Sequence, residues 1–369
     1  MMNNPEKKAS WLELFYDIAF VALVAQLTYL AYEYHQTPLD LINIFLVGYA
    51  IFVAWWATTA NRNLKPTETT KDKLSIQIQM AGAFLMSITM PHVFEGQYFG
   101  FFATLGLLRF VQAGMVWRMY RTLPETRPVT YNILQGFLIA AGLWVLSAFM
   151  PPYYNYVFAF AALALDILTP LTRGKGNSTR YLHVRHLRER LGLFLILVIG
   201  ESMIVVALSN TAASLSVTEP TVVFSGLGMM IALWWLYFEH SDRHPSVRPK
   251  NLFVFIHSHG LLFGSIILLS VGYKMAIEQI DSFTAGWFVV AGATGVLVAL
   301  TLIRLMLNEK LFTVIFRTGL FLALTAVILF IAAIYGMVHG QITLITLLFM
   351  GVAILDYLFN QTGPLKEKE

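Results

Sequence analysis

Residues 11–33 read WLELFYDIAFVALVAQLTYLAYE, an apolar run of 23 residues interrupted by Glu13 and Asp17 and closed by Glu33. At 1.5 Å per residue a helix of this length covers the roughly 30 Å hydrocarbon core of a bilayer. The run is too long for the apolar part of a secretory signal, and the polar residues before it lack a small-residue cleavage site. It is therefore read as a transmembrane helix. Working outward, the same kind of stretch recurs near 39–59, 74–93, 99–118, 131–150, 153–171, 188–209, 221–239, 251–272, 285–307, 314–336 and 340–360. The expected fold is all-α and polytopic, with about 12 transmembrane helices.

Composition agrees with this reading. The 369 residues are 57% hydrophobic and 12% charged, about half the charge usual in a water-soluble domain. So few charges cannot cover a soluble globule of this size, whereas lipid-facing surface needs none. The absence of Cys excludes disulfides, thiolate metal sites and a thiol nucleophile. A net charge of +4 does not mark a nucleic-acid protein, because the basic residues are dispersed among loops.

Those loops alternate. Lys7 and Lys8 precede the first span; Arg62, Lys65, Lys71 and Lys73 follow the second; Arg118, Arg121 and Arg127 follow the fourth. Arg173, Lys175, Arg180, Arg185, Arg188 and Arg190 lie between the sixth and seventh. Arg243, Arg248 and Lys250 follow the eighth, Arg304, Lys310 and Arg317 surround the next such junction, and Lys366 and Lys368 close the chain. The intervening loops carry Lys274 alone. Basic residues in short loops stay on the cytoplasmic side, so both termini are expected there.

An internal repeat is also indicated. Phe45 and Trp55-Trp56 match Phe224 and Trp234-Trp235, 179 residues on. Gly82 matches Gly260, Leu14-Phe15 matches Leu193-Phe194, Ala164-Leu165-Asp166 resembles Ile354-Leu355-Asp356, and Leu108-Arg109 resembles Ile303-Arg304, all in the same order. The expected organisation is two parallel six-helix repeats, 1–171 and 188–369, joined by a basic cytoplasmic linker at 172–187.

Leu12-Glu13-Leu14-Phe15-Tyr16-Asp17-Ile18-Ala19-Phe20-Val21, Arg188-Glu189-Arg190-Leu191-Gly192-Leu193-Phe194 leading into Gly200-Glu201-Ser202, and Leu233-Trp234-Trp235-Leu236-Tyr237-Phe238 carry a likeness that covers most of the chain. Together they resemble the bacterial low temperature requirement protein A (LtrA) family. Tyr16 stands where the family is expected to have Phe, and Glu239 where it is expected to have Asp. The resemblance implies a polytopic inner-membrane protein associated by name with growth in the cold, and no agreed biochemical activity.

Chemistry is sought in ionisable residues inside the spans, each costing at least about 2.5 kcal/mol at a helix centre unless paired or hydrated. The candidates for an ion or solute path are Glu13, Asp17, Arg109, Asp166, Glu201 and Asp356. Glu13 and Asp17 share one face of the first span. Asp17, Asp166 and Asp356 are placed at similar inner depth, while Arg109 and Glu201 fall near the midplane and are expected to pair or to share a hydrated cavity. A structural reading stands beside this one: ion pairs that hold helices together, aspartates that bind helix ends or cytoplasmic Arg, and Glu13 exposed at its first turn.

His257, His259 and Gln79 are weaker candidates. Two His at i and i+2 point roughly 200° apart on a helix, so metal chelation is not expected; helix-to-helix hydrogen bonds or path lining remain. His183 with His186, and His240 with His244, have chelating spacing but stand beside Arg and are read as interfacial and solvated. The Ser225-Gly226-Leu227-Gly228 stretch reads as close helix packing. No cofactor or metal is called for.

The partners expected are the lipid bilayer and an unidentified ion or small solute. Duplicated six-helix halves with intramembrane acids favour a transporter or channel. Lysosomal potassium channels with two six-helix halves keep an acidic aromatic motif on their first span, but here Ile196 occupies the place matching Asp17. An intramembrane lipid-modifying enzyme and a non-transporting stress-response scaffold or receptor are the alternatives. A retinal receptor is disfavoured, since no Lys lies mid-span.

Overall fold

The computed structural model describes residues 9–65, 69–169, 183–209, 218–243, 251–278, 282–307 and 338–361. The described secondary structure is helical throughout: α1 (Trp11–Glu33), α2 (Pro38–Leu64), α3 (Thr70–Phe94), α4 (Phe99–Thr122), α5 (Arg127–Phe149), α6 (Tyr154–Leu168), α7 (Val184–Leu208), α8 (Thr218–Arg243), α9 (Leu252–Ile277), α10 (Ser282–Met306) and α11 (Val338–Gln361). One 3-10 turn, Pro124–Thr126, precedes α5. The stretch expected at 314–336 lies outside the described residues, as does the basic segment from 170 to 182.

Local chemistry sets the helix starts. Ser10, Thr37 and Thr69 cap α1, α2 and α3, and in each the acid three residues on (Glu13, Asp40, Asp72) returns a hydrogen bond to the cap backbone. This reciprocal arrangement satisfies two amide donors that the first turn leaves open. Pro38 fixes the first turn of α2 where no amide donor is needed. Within the helices, apolar residues occupy all faces.

Nine of the described helices are long and apolar enough to cross a membrane; α6 and the apolar part of α11, Ile342–Leu355, are shorter. Large apolar side chains such as Phe15, Phe84, Leu107, Ile139, Ile204 and Trp287 are exposed, while Glu13, Asp17, Arg109 and Arg190 are buried. That is the reverse of a soluble fold and the distribution required by a hydrocarbon solvent.

The chain divides into two compact units, Met1–Leu197 and Val198–Glu369, so the boundary falls inside α7. In the first unit α4 packs on α3 and α5, α5 on α6, and α1 on α2 and α3. In the second, α9 packs on α10 and α8 on α11. Trp55 is fully buried in the first unit whereas Trp234, its match by sequence offset, is 46% exposed in the second.

Glycine permits the tightest pairing. Gly272 of α9 lies against the backbone of α10, where an added Cβ would stand 2.8 Å from the Val289 amide nitrogen and 3.0 Å from the Ala285 carbonyl oxygen. Gly292 of α10 stands in the same relation to Leu269 and Ser265 of α9. Gly226 and Gly228 of α8 face Tyr273 and Thr346, so the small-residue stretch there serves packing. Gly272→Ala is expected to lower stability by about 1 to 3 kcal/mol through overpacking. Gly264→Ala, on the same helix with open space around it, is expected to be neutral or to gain up to about 1 kcal/mol. Thermal unfolding of the purified protein in detergent checks both.

Candidate functional site

The buried charge of the first unit is organised around two carboxylates held in the same way. Asp17 is the seventh residue of α1, and Arg190 the seventh of α7. Arg190 Nη2 donates to Asp17 Oδ1 at 2.5 Å, and the Trp55 indole N–H of α2 donates to the same oxygen at 2.8 Å. In the second group, Arg109 Nη2 of α4 lies 2.8 Å from Asp166 Oδ2 of α6, and the Trp144 indole of α5 donates to that oxygen at 3.0 Å. Each triad thus ties three helices through one carboxylate oxygen. The other oxygens, Asp17 Oδ2 and Asp166 Oδ1, are buried and accept no protein hydrogen bond.

Packing fixes both triads. Trp55 stacks on Phe194 at 4.4 Å and on Phe52 at 6.3 Å, and Trp144 tilts against Phe102 at 5.5 Å. The Arg109 guanidinium also stands 5.4 Å from the centre of the Phe137 ring, a cation–π contact in a water-excluded setting.

Amides and hydroxyls link the levels. Arg109 Nη1 donates to Gln112 Oε1 at 2.7 Å and to the Val53 carbonyl at 3.3 Å. Gln112 Nε2 reaches the Ala54 carbonyl at 2.8 Å, Gln79 Oε1 at 2.9 Å and Thr58 Oγ1 at 3.1 Å, and Thr58 donates to Gln79. The Tyr16 hydroxyl lies by Thr58, within the electrostatic reach of Asp17, Arg190 and Arg109.

At the end where α1 begins, Glu13 faces Arg62 Nε and His186 Nε2, each at 3.7 Å. Asn63 reads the start of α7, donating to the His183 carbonyl at 2.9 Å and accepting from the His183 amide at 2.8 Å. Beside it Lys65 Nζ binds Asp72 Oδ1 at 2.6 Å, with Arg118 Nη2 at 3.6 Å. At the opposite end, where α2, α4 and α6 begin, the Tyr98 and Tyr156 hydroxyls meet at 2.9 Å and Tyr156 donates to Asn43 at 2.7 Å. Phe102, stacked on Tyr98, separates this cluster from Trp144.

Several expectations change. Arg109 is paired with Asp166, which stands in the last turn of the short α6 and meets the middle of α4. Glu13 is 3% exposed, so the solvated reading of its first turn fails, although its capping role is real. His186, Arg62 and Arg190, read as loop residues, are buried within helices. Gln79 joins the network, while Gln77 two residues before it is exposed.

The second unit holds Glu201 as its buried charged side chain among the described residues. Among the hydrogen bonds between its described helices are Ser202 to Ser270 at 3.2 Å, Tyr273 to Thr346 at 2.6 Å and Ser225 to Thr343 at 3.3 Å, and Arg304 Nη2 of α10 donates to the Leu236 carbonyl of α8 at 3.2 Å. His259 Nδ1 donates to the Phe255 carbonyl at 2.7 Å, so Nε2 accepts the Tyr237 hydroxyl at 2.9 Å, a helix-to-helix bond. His257 packs on Phe253. Asp356 lies on α11, with its side chain outside the described residues. Among the described residues no group of three or more His, Asp or Glu is placed to hold a metal ion.

The family model of the bacterial low temperature requirement A protein (LtrA) matches residues 8–355. The chain belongs to the LtrA family. With its apolar helices this makes it a multi-pass membrane protein. An uncharacterized protein of Rhizobium meliloti (strain 1021) is 24% identical over 310 residues, covering 75% of this chain and 71% of that one. No solved structure matches. In this LtrA chain the residues missed by sequence reasoning are the partners: Trp55, Thr58, Gln112, Trp144 and Arg190. Gln112 carried a readable signal, since it lies three residues from Arg109 on the same helix face.

Arg109→Gln is expected to cost about 3 to 5 kcal/mol by leaving Asp166 charged and buried without its cation. Arg109→Gln combined with Asp166→Asn should recover most of that loss. A double-mutant cycle from unfolding in detergent checks this; additive losses would mean that the two side chains are not coupled.

Proposed function

We propose that this chain moves an ion or small solute across the membrane, using the intramembrane carboxylates of the first unit. The observation that carries the reading is the polar ladder: Glu13 with Arg62, Asp17 with Arg190, the Thr58, Gln79 and Gln112 cluster, and Asp166 with Arg109, at successive levels of one bundle. Simple structural cohesion does not require polar groups at every level, and membrane helices usually pack through small and apolar residues. Charged residues inside spans most often mark ion or substrate paths.

In this reading the chain has twelve spans in two parallel six-helix repeats and sits in the inner membrane with both termini cytoplasmic. The Glu13 and Asp72 clusters then face the cytoplasm, and Tyr98, Phe102 and Trp144 form the external closure. Reporters fused after Lys368 and within 172–187 should both be cytoplasmic; an external reporter at either place would overturn the topology.

A scaffold without transport is favoured by one observation, that each ladder carboxylate faces a cation. Flux separates the two. Purified protein in liposomes is assayed with a panel of inorganic ions and small organic solutes. The charge-balanced double variant Arg109→Gln with Asp166→Asn is expected to stay folded and to lose flux by about tenfold or more, the equivalent of some 1.4 kcal/mol. Undiminished flux in that variant would remove the ladder from the path, and no flux of any solute by wild type would support the scaffold.

A further inference from the structure

We propose that the two Trp–Asp–Arg triads are proton-binding sites, Asp17 taking a proton on Oδ2 and Asp166 on Oδ1. As an assignment of the coupling ion, the proposal rests on the transport reading above.

The argument starts from a geometric choice made twice. An arginine and a carboxylate that serve only cohesion gain most from a bidentate pair, in which both oxygens are satisfied. In both triads the guanidinium and the indole crowd onto one oxygen, Oδ1 of Asp17 and Oδ2 of Asp166. The remaining oxygen of each is buried and accepts nothing from the protein. A buried acceptor without a donor is costly, and these two stand in otherwise unrelated helix trios, α1, α2, α7 and α4, α5, α6.

The chemistry of the open oxygen selects the ligand. Metal cations of the alkali or alkaline-earth type want several oxygen ligands. Here each site offers one carboxylate oxygen, with a guanidinium already on its neighbour that would repel a second cation. A proton needs only that one oxygen. The charged groups that act on Asp17 are Arg190 of α7 and Glu13 of its own helix, with α2 contributing the neutral Trp55 indole. For Asp166 the charged group is Arg109 of α4, with α5 contributing the neutral Trp144 indole. Protonation forms an O–H bond at the open oxygen, with hydronium from the adjoining aqueous phase as donor and water as the product. No electrons are exchanged. The carboxyl becomes neutral, the guanidinium loses its counter-charge, and the tie between α1 and α7, or between α4 and α6, weakens from an ion pair to a hydrogen bond on a neutral carbonyl oxygen.

Two protonatable ties at successive levels would allow the helices to be loosened and tightened by the proton gradient. In this arrangement Arg109 retains Gln112 and the Val53 carbonyl when Asp166 is neutral, so the cation is not stranded.

The test reads protonation directly and needs no solute. Full-length protein in lipid nanodiscs is taken through a pH titration by infrared difference spectroscopy, following the carbonyl stretch of protonated carboxyl groups. Asp17→Asn with Arg190→Gln, and Asp166→Asn with Arg109→Gln, keep the charge balanced and so keep the protein folded; near-ultraviolet circular dichroism confirms this. Wild type is expected to show a pH-dependent carboxylic-acid band, and each double variant to lack its own share of it. A band absent from wild type at every pH where it stays folded, or unchanged in both variants, would overturn the proposal, and loss in one variant only would overturn the matched pair. If the band behaves as expected while liposomes show no flux, the proton sites stand and the transport reading fails.

Discussion

Taking a carboxylate out of water costs several kcal/mol, and within a membrane-spanning bundle no solvent returns that cost, so each buried acid must meet a cation and a further donor. The first unit is arranged around this requirement. Asp17 and Asp166 each find an arginine from one helix and an indole from another, and the helices can then pack only in the registers that bring those groups together. Trp55 and Trp144 are among the largest fully buried side chains. Their burial follows from the same need, because an indole N–H also requires an acceptor when removed from water.

The two units use different adhesives. In the first, ion pairs and amide ladders run from Asp72 and Glu13 to Asp166. In the second, the Tyr273 to Thr346 pair joins α9 to α11 and the His259 to Tyr237 bond joins α9 to α8, while Gly272 and Gly292 draw α9 and α10 close. Interhelical hydrogen bonds of this neutral kind contribute only about 0.6 kcal/mol on average in membrane proteins, so close packing dominates there. Ion pairs are conditional on charge state in a way that packing is not. Ties made by carboxylates can therefore respond to protons, while glycine contacts do not.

Much of the plan is legible in the sequence. Residues 11–33 are a membrane-length helix because their apolar run is that long, and Ser10 with Glu13 starts it for reasons confined to one turn. That Glu13, Asp17, Arg109 and Asp166 deserve chemical attention also follows locally, since each interrupts an apolar run. The stretch 314–336 and the Asp356 side chain lie outside the described residues, so their readings stand as expectations.

What tertiary structure alone decided is who meets whom. Arg190 looked like one more basic residue of a cytoplasmic loop, yet α7 begins at Val184 and carries it to Asp17, 173 residues away in sequence. Arg109 looked suited to Glu201 by distance from helix ends, yet the short α6 sets Asp166 beside it. Hydropathy and capping are one-dimensional and report position along a helix axis. Pairing depends on rotation about that axis and on register between helices far apart in the chain, and those quantities exist only once the helices have packed.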